Sequence, residues 1–155
     1  MLEAGLGSIR LSDEFVRDLL GDKPHIAEAK EARPARPRVL VVDDERLIAD
    51  TCAKILDDAG FYAKTAYDGW KALEMVAEFQ PDYLITDVLM PRMNGVDLAI
   101  SVSRMLPAVK VLLFSGQAGI SGVLLEGRAQ GYEFELIAKP IHPTKLIEHL
   151  RKYER

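Results

Sequence analysis

Residues 38–45 read RVLVVDDE, an apolar run that ends in two adjacent aspartates, Asp43 and Asp44. A second apolar run, YLITD at residues 83–87, ends in Asp87. Both runs have the composition of buried strands in a parallel sheet, and the carboxyl ends of such strands meet at one edge. We therefore expect the three carboxylates to gather there as a Mg2+ site. A carboxylate beside a divalent cation is also a workable nucleophile, which makes Asp87 a candidate phosphoryl acceptor.

From residue 38 onward, short apolar runs alternate with amphipathic stretches, which is typical of a parallel sheet covered by helices on both faces. The predicted strands are residues 39–42, 61–66, 82–86, 109–114 and 134–138. The predicted helices run from Asp44 to a stop at Gly60, over 68–79, 96–106 and 121–130, and onward from Pro143. The apolar face of the first helix comprises Leu47, Ile48, Cys52, Ile55, Leu56 and Ala59. Right-handed crossovers then give a doubly wound α/β sheet of five parallel strands.

Two further polar residues follow strands at the same predicted edge: Ser115 after VKVLLF, and Lys139 after FELIA. A lysine ammonium and a serine hydroxyl both bind a phosphorylated carboxylate more strongly than a free one. Such a difference in binding between two states is what a switch requires. The turn at Pro91 and Gly95 is predicted to keep the loop after Asp87 close to that site.

The composition limits the class of protein. The chain has 155 residues, 48% of them hydrophobic, and a net charge of −4, which suits one globular domain. An acidic balance argues weakly against direct nucleic-acid binding. The lone Cys52 excludes an intramolecular disulfide and fits a reducing compartment. The sequence shows neither a signal peptide nor an apolar run long enough to span a bilayer, so we expect a cytoplasmic protein that does not enter membranes.

Four motifs in register carry a resemblance to a known family. They are VVDDE, the D-x-x-M-P-x-M-N-G segment that begins at Asp87, the hydroxyl residue of FSGQA, and the K-P of IAKPI. Over residues 38–153 the chain resembles the receiver domain of response regulators, in two-component signal transduction. The resemblance implies a flavodoxin-like receiver fold with strand order 2-1-3-4-5.

The resemblance also implies a role for each strand-end residue. Asp87 would be the phosphoacceptor, Ser115 the switch hydroxyl and Lys139 the group that holds the phosphoryl oxygens. The implied Mg2+ ligands are Asp43, Asp44, Asp87 and, through its backbone carbonyl, Leu89. The Lys139-Pro140 bond is cis in that family. One departure concerns the switch, because Leu136 stands where the family commonly has an aromatic residue.

The predicted domain organisation is a receiver domain at residues 38–155 behind an extension at residues 1–37. The extension contains a candidate short helix that begins after Ser12, with an apolar stripe that includes Phe15, and a polar, proline-containing linker. A helix of about two turns is not stable alone in water. The short chain after Pro143 favours a stand-alone receiver without an output domain.

The function implied by the resemblance is signalling rather than enzymatic turnover. A sensor histidine kinase would phosphorylate Asp87 with Mg2+ as cofactor, and the signal would pass to a downstream protein or to a histidine phosphotransfer partner. Self-association as a homodimer is left open. An alternative is a receiver-like module that binds partners without phosphorylation. A haloacid dehalogenase-type phosphatase fits poorly, because its nucleophile follows the first strand in a D-x-D pair.

Overall fold

The computed structural model describes residues 36–116 and 121–153. Strands and helices alternate along these residues. The strands are β1 (Arg38–Val42), β2 (Tyr62–Ala66), β3 (Tyr83–Asp87), β4 (Lys110–Ser115) and β5 (Glu135–Ala138). The helices are α1 (Arg46–Asp58), α2 (Gly69–Phe79), α3 (Gly95–Met105), α4 (Ser121–Ala129) and α5 (Pro143–Arg151). The predicted bounds lie within two residues of these at most ends.

The strands form one parallel sheet in the order β2-β1-β3-β4-β5. This order confirms the predicted doubly wound, flavodoxin-like fold. The chain reverses its direction of winding at β1 and β3, which are adjacent: Val42 lies opposite Thr86 in the register. Crevices at such a switch point open at the carboxyl ends of the strands, and this edge receives Asp43 and Asp87.

Two hydrophobic clusters cover the two faces of the sheet. Successive residues of β1 point to opposite faces, so Leu40 packs in one cluster and Val39 in the other, and both are fully buried. Burial on both faces explains why β1 and β3 are near-continuous apolar runs rather than alternating ones.

Local capping sets the starts of two helices next to the acidic edge. The side chain of Asp68 accepts a hydrogen bond from Lys71 N at the start of α2, and Asn94 accepts one from Asp97 N at the start of α3. At the outer edge of the sheet, Asp57 of α1 accepts a hydrogen bond of 3.0 Å from Ala63 N of β2.

One prediction about α1 is wrong. Leu47 was expected on the buried face, but its side chain is 79% exposed. Cys52 and Leu56 are buried as predicted, whereas Ile48 and Ile55 are partly buried. The helical period is therefore right, but Leu47 lines an open groove between α1 and α5 instead of packing in the core.

The predicted N-terminal extension lies almost wholly outside the described residues, and so does its candidate helix. The predicted boundary at residue 37 therefore stays a prediction. Among residues 36–116 and 121–153, no helix combines the length and apolar character needed to cross a membrane.

Candidate functional site at the carboxyl edge of the sheet

Three carboxylates converge at the carboxyl edge. Asp43 and Asp44 follow β1, Asp87 ends β3, and one oxygen of each lies within 4.8 Å of the others. Asp43 is 2% exposed, and its Oδ1 accepts a hydrogen bond from Glu45 N at 2.9 Å. Asp44 is exposed and Asp87 half-buried. The sequence prediction that these residues meet is thus what the structure shows, because β1 and β3 are neighbours.

Lys139 completes the cluster from two strands away. It follows β5, and its Nζ lies 2.7 Å from Asp43 Oδ2 and 3.4 Å from Asp87 Oδ1. Burial alone would lower the pKa of Lys139, but the hydrogen bond to Asp43 and the negative charge of Asp87 raise it above its ordinary 10.5. Lys139 is therefore a fixed positive charge that already contacts two of the three carboxylates.

The charge of Asp87 is not fully compensated by Lys139. Burial raises the pKa of Asp87 above its ordinary 3.8; the Lys139 charge lowers it, and Asp43 and Asp44 raise it again. The net direction is upward, so the folded chain disfavours the ionised form that a nucleophile needs. A cation at this site would lower the pKa of Asp87 again, because an opposite charge at short range stabilises the carboxylate.

The donor set fits Mg2+. Hard divalent cations prefer carboxylate and carbonyl oxygens, and one or two protein carboxylates with water commonly suffice for Mg2+. Asp43, Asp44 and Asp87 each supply such an oxygen, and the three oxygens lie within 4.8 Å of one another. Leu89, whose carbonyl the family resemblance implicates, lies in the loop between β3 and α3, two residues beyond Asp87.

That loop is held against the end of β3 by a close backbone approach. A Cβ at Gly95 would lie 2.0 Å from the carbonyl oxygen of Asp87, so only glycine fits there. Gly95 N also donates to Val88 O at 2.7 Å, which closes the loop. The predicted tight turn is confirmed, and its physical reason is contact with the Asp87 backbone.

Ser115 is the last residue of β4 and is 8% exposed. Its carbonyl accepts a hydrogen bond of 2.8 Å from Lys139 N, which ties the ends of β4 and β5 together. The Lys139-Pro140 bond is cis, as the resemblance implied. Ser115 and Lys139 thus share one edge with the carboxylates.

Leu136, the residue at the departure from the family pattern, is 42% exposed on β5. The nearby rings of Tyr132 and Phe134 stack on each other at 5.6 Å and line a small pocket with Leu136. Tyr132 and Phe134 contact each other, and the expected departure from the family's aromatic switch at Leu136 stays a prediction.

An apolar groove of about 560 Å3 opens beside the acidic cluster, and sequence reasoning missed it. It lies between α1 and α5, and Leu47, Ile48, Pro140 and Leu146 are among its lining residues. Lys139 lines the groove as well as contacting the carboxylates. The exposed Leu47 is therefore part of a continuous apolar surface next to the acidic site.

Cys52 also lines this groove. Burial, with a contribution from Asp43, raises the pKa of its thiol to about 12. The thiol is therefore protonated at neutral pH, which agrees with the prediction that Cys52 packs as a small apolar residue.

The fold and the site together define a doubly wound α/β domain with an acidic, metal-compatible centre at the carboxyl ends of β1 and β3. The family model described as "Response regulator receiver domain" matches residues 39–151. The chain belongs to this family.

Relatives and solved structures agree with this assignment. The chemotaxis protein CheY of Thermotoga maritima is 31% identical over 119 residues, which cover 76% of this chain and 98% of CheY. The DNA-binding response regulator MtrA of Mycolicibacterium paratuberculosis is 33% identical over 116 residues, and the match covers 75% of this chain and half of MtrA. The structure of CheY4 of Vibrio cholerae has a TM-score of 0.68 at 30% identity and covers 76% of this chain and 98% of CheY4. Because MtrA is named as DNA-binding, the absence of nucleic-acid binding stays a prediction.

Proposed function

We propose that this protein is a single-domain response regulator that accepts a phosphoryl group on Asp87 from a sensor histidine kinase, with Mg2+ bound at the acidic cluster. The observation that carries the proposal is the convergence of Asp43, Asp44 and Asp87 with the ammonium of Lys139.

The proposed reaction is displacement at phosphorus. A carboxylate oxygen of Asp87 attacks the phosphorus of a phosphohistidine, a new P–O bond forms, and the P–N bond breaks. The electron pair of the broken bond goes to the imidazole nitrogen of the donor. When bound, Mg2+ supplies positive charge that offsets the repulsion between the entering phosphoryl group and the carboxylates.

Lys139 and Ser115 distinguish the phosphorylated from the free state. The Lys139 ammonium now sits between Asp43 and Asp87, 2.7 Å and 3.4 Å away, so it is in place to pair with a phosphoryl oxygen on Asp87. Ser115, at the adjoining strand end, donates to another oxygen. These new contacts bias the loop after β4, and α4 beyond it, toward a second arrangement.

The partner that delivers the phosphoryl group has to approach the carboxyl edge, where the groove between α1 and α5 opens beside Lys139. An exposed apolar side chain such as Leu47 at 79% exposure suits a protein surface better than a small donor. The output then passes to a downstream protein, or the phosphoryl group passes on to a histidine phosphotransfer partner.

Incubation with acetyl phosphate and Mg2+, followed by intact mass measurement, tests the proposal. We expect the wild type to gain one phosphoryl group, and Asp87→Asn to gain none. Asp82→Asn is the matched control, because Asp82 lies at the opposite edge of the same sheet and should not affect labelling. Omission of Mg2+ should also abolish labelling.

Two outcomes contradict the proposal. Labelling of Asp87→Asn would show that a residue other than Asp87 accepts the phosphoryl group. No labelling of the wild type, under conditions in which a CheY control is labelled, would favour the alternative module that binds its partners without phosphorylation.

A further inference from the structure

The loop between β3 and α3 carries the Leu89 carbonyl, and the loop's outer part makes two contacts with α2. Arg92, in this loop, has a left-handed backbone with φ of +72°, which side chains other than glycine rarely adopt. Within the loop, a hydrogen bond from Met93 N to Pro91 O at 2.7 Å spans Arg92, and contacts from outside the loop add to the support of this conformation. The contacts that the structure offers for this come from the first turn of α2 and its cap.

The closer contact joins Met93 to Gly69. Gly69 is buried at the start of α2, and a Cβ there would lie 2.6 Å from Met93 Sδ and 3.0 Å from Met93 Cβ. The Met93 side chain thus occupies the space that any larger residue at position 69 would need. The loop can approach α2 this closely because the helix begins with glycine.

The second contact is an ion pair that uses the helix cap. Asp68 accepts from Lys71 N through Oδ1 at 2.7 Å, and its Oδ2 lies 3.4 Å from Arg92 Nη2. One carboxylate therefore fixes the start of α2 with one oxygen and contacts the loop with the other. The Arg92 side chain is 68% exposed, so this ion pair contributes less than the packing of Met93 on Gly69.

We propose that the first turn of α2 is a positioning element for the metal site: Gly69 and Asp68 hold the loop between β3 and α3, and thereby the Leu89 carbonyl, where Mg2+ is bound. This inference rests on the proposed Mg2+ site. Residues that orient metal ligands without touching the metal commonly change metal affinity by one to two orders of magnitude when altered. Gly69 and Asp68 act through the loop and contact none of the three carboxylates in the contacts described above.

Mg2+ titration of the full-length chain tests the inference, with Trp70 as reporter. Trp70 is the chain's sole tryptophan, is 57% exposed, and directly follows Gly69. We expect Gly69→Ala to weaken Mg2+ binding about tenfold, because the added methyl group displaces Met93 and the loop. Isothermal titration calorimetry gives the same affinity without relying on a fluorophore close to the substitution.

A second substitution tests the same contact from the side of the loop. Met93→Ala removes the sulfur and the Cγ that pack on Gly69 and keeps glycine at position 69, so Mg2+ affinity should again fall about tenfold. Asp68→Asn keeps the oxygen that caps α2 and removes the charge opposite Arg92, and should weaken binding by only about twofold. Gly122→Ala is the matched control, because a Cβ there meets nothing within 4 Å.

The outcomes separate this inference from the proposed function. If the wild type binds Mg2+ but Gly69→Ala binds it equally well, the positioning role is wrong and the metal site stands. The role is also wrong if Met93→Ala folds, as shown by its thermal unfolding, yet binds Mg2+ as tightly as the wild type. If the wild type itself binds no Mg2+, both this inference and the proposed metal site are wrong.

Discussion

The two ends of the same sheet differ in the partners that they offer to charged side chains. At the amino end, Asp82 Oδ2 accepts a hydrogen bond from Arg38 N at 2.9 Å, and the Arg38 guanidinium donates to Phe79 O at 2.7 Å. The same guanidinium lies over the rings of Tyr62 and Phe79. At the carboxyl end, the described residues bring one ammonium, that of Lys139, within 4 Å of the clustered carboxylates.

The difference identifies the carboxyl end as the place where charged groups needed for function lower the stability of the fold. At the amino end, the Asp82 carboxylate has a donor in Arg38 N and the Arg38 guanidinium an acceptor in Phe79 O, although Arg38 Nε is buried without a hydrogen-bond partner. The carboxyl end has an excess of negative charge that is compensated only when a cation enters. A strand end of this kind is therefore better described as a binding site than as a stabilising network.

The largest effect is expected from removing the ammonium at the carboxyl end. Lys139→Met keeps the apolar stem next to Gly116 but leaves Asp43 without its ion-pair partner, so the free energy of unfolding without Mg2+ should fall by about 3 kcal/mol. Mg2+ should narrow this difference, because the cation binds only the folded state and replaces the missing charge. Urea unfolding in EDTA and in excess Mg2+ measures both effects.

Arg38→Met is the corresponding change at the amino end. It removes the hydrogen bond to Phe79 O and should cost about 1 kcal/mol, equally with and without Mg2+. If the loss of unfolding free energy in Lys139→Met is the same with and without Mg2+, then a cation does not compensate the charge at the carboxyl end, and the contrast between the two ends is wrong.

An effect of intermediate size on the free energy of unfolding is expected from replacing an aspartate by asparagine. The replacement should stabilise the fold at the carboxyl end and destabilise it at the amino end. Asp87 has a raised pKa, so its ionised form costs stability at neutral pH, and Asp87→Asn should stabilise the metal-free protein by about 1 kcal/mol. Asp82→Asn removes the charge that accepts from Arg38 N and should destabilise it by about the same amount. Thermal unfolding at pH 7 in EDTA measures the signs; a metal-free Asp87→Asn that is less stable than the wild type would contradict the account of the acidic edge.

The smallest effect is a difference in acid sensitivity, and it adds Glu135 to the comparison. Glu135, on β5, accepts hydrogen bonds from Lys152 and Tyr153 of the C-terminal end. Burial raises the pKa of Glu135, but these hydrogen bonds and the nearby positive charges lower it by more than burial raises it. The net pKa of Glu135 therefore lies below its ordinary 4.5. Its stabilising contribution is therefore present above pH 4.5 and is lost as the pH falls through the lower folded value.

Asp87 behaves in the opposite sense, because its cost disappears as the pH falls through its raised folded pKa toward 3.8. Between pH 5 and pH 3, Glu135→Gln should lose less stability than the wild type, and Asp87→Asn should lose more. Urea unfolding across this pH range checks both. Identical acid profiles for the wild type and the two variants would refute the assigned pKa directions.

Much of the carboxyl edge could be predicted from the sequence. The apolar runs that end in Asp43 and Asp87 predict parallel strands, whose carboxyl ends share one edge of the sheet, and the family resemblance implied that the two strands are adjacent. The position of Lys139 after the fifth strand follows from the same rule. The groove beside it did not follow, because helical periodicity reports which face of α1 is apolar but not whether a neighbour covers that face, as Leu47 shows.

The contacts of α2 with the loop after β3 were also beyond sequence reasoning. Met93 and Gly69 are 24 positions apart, and their contact depends on one missing methyl group, which leaves no periodic signal. The hydrogen bonds of Glu135 also leave no periodic signal in the sequence, because its partners Lys152 and Tyr153 lie at the end of the described part of the chain. Such pairings are set by how separate elements pack, and charge or turn propensity alone does not identify them.

The hydrogen bond from Ala63 N to Asp57 has a consequence for how copies of this protein meet at high concentration. An outer strand with free amide groups invites a strand from another molecule, which is a common start of aggregation. Here an acidic side chain occupies the Ala63 amide, and the exposed Lys64 places a charge next to it on the same strand. A strand from another copy that paired with β2 would have to displace the Asp57 carboxylate and bury the Lys64 charge. Contacts between copies are therefore directed to other surfaces.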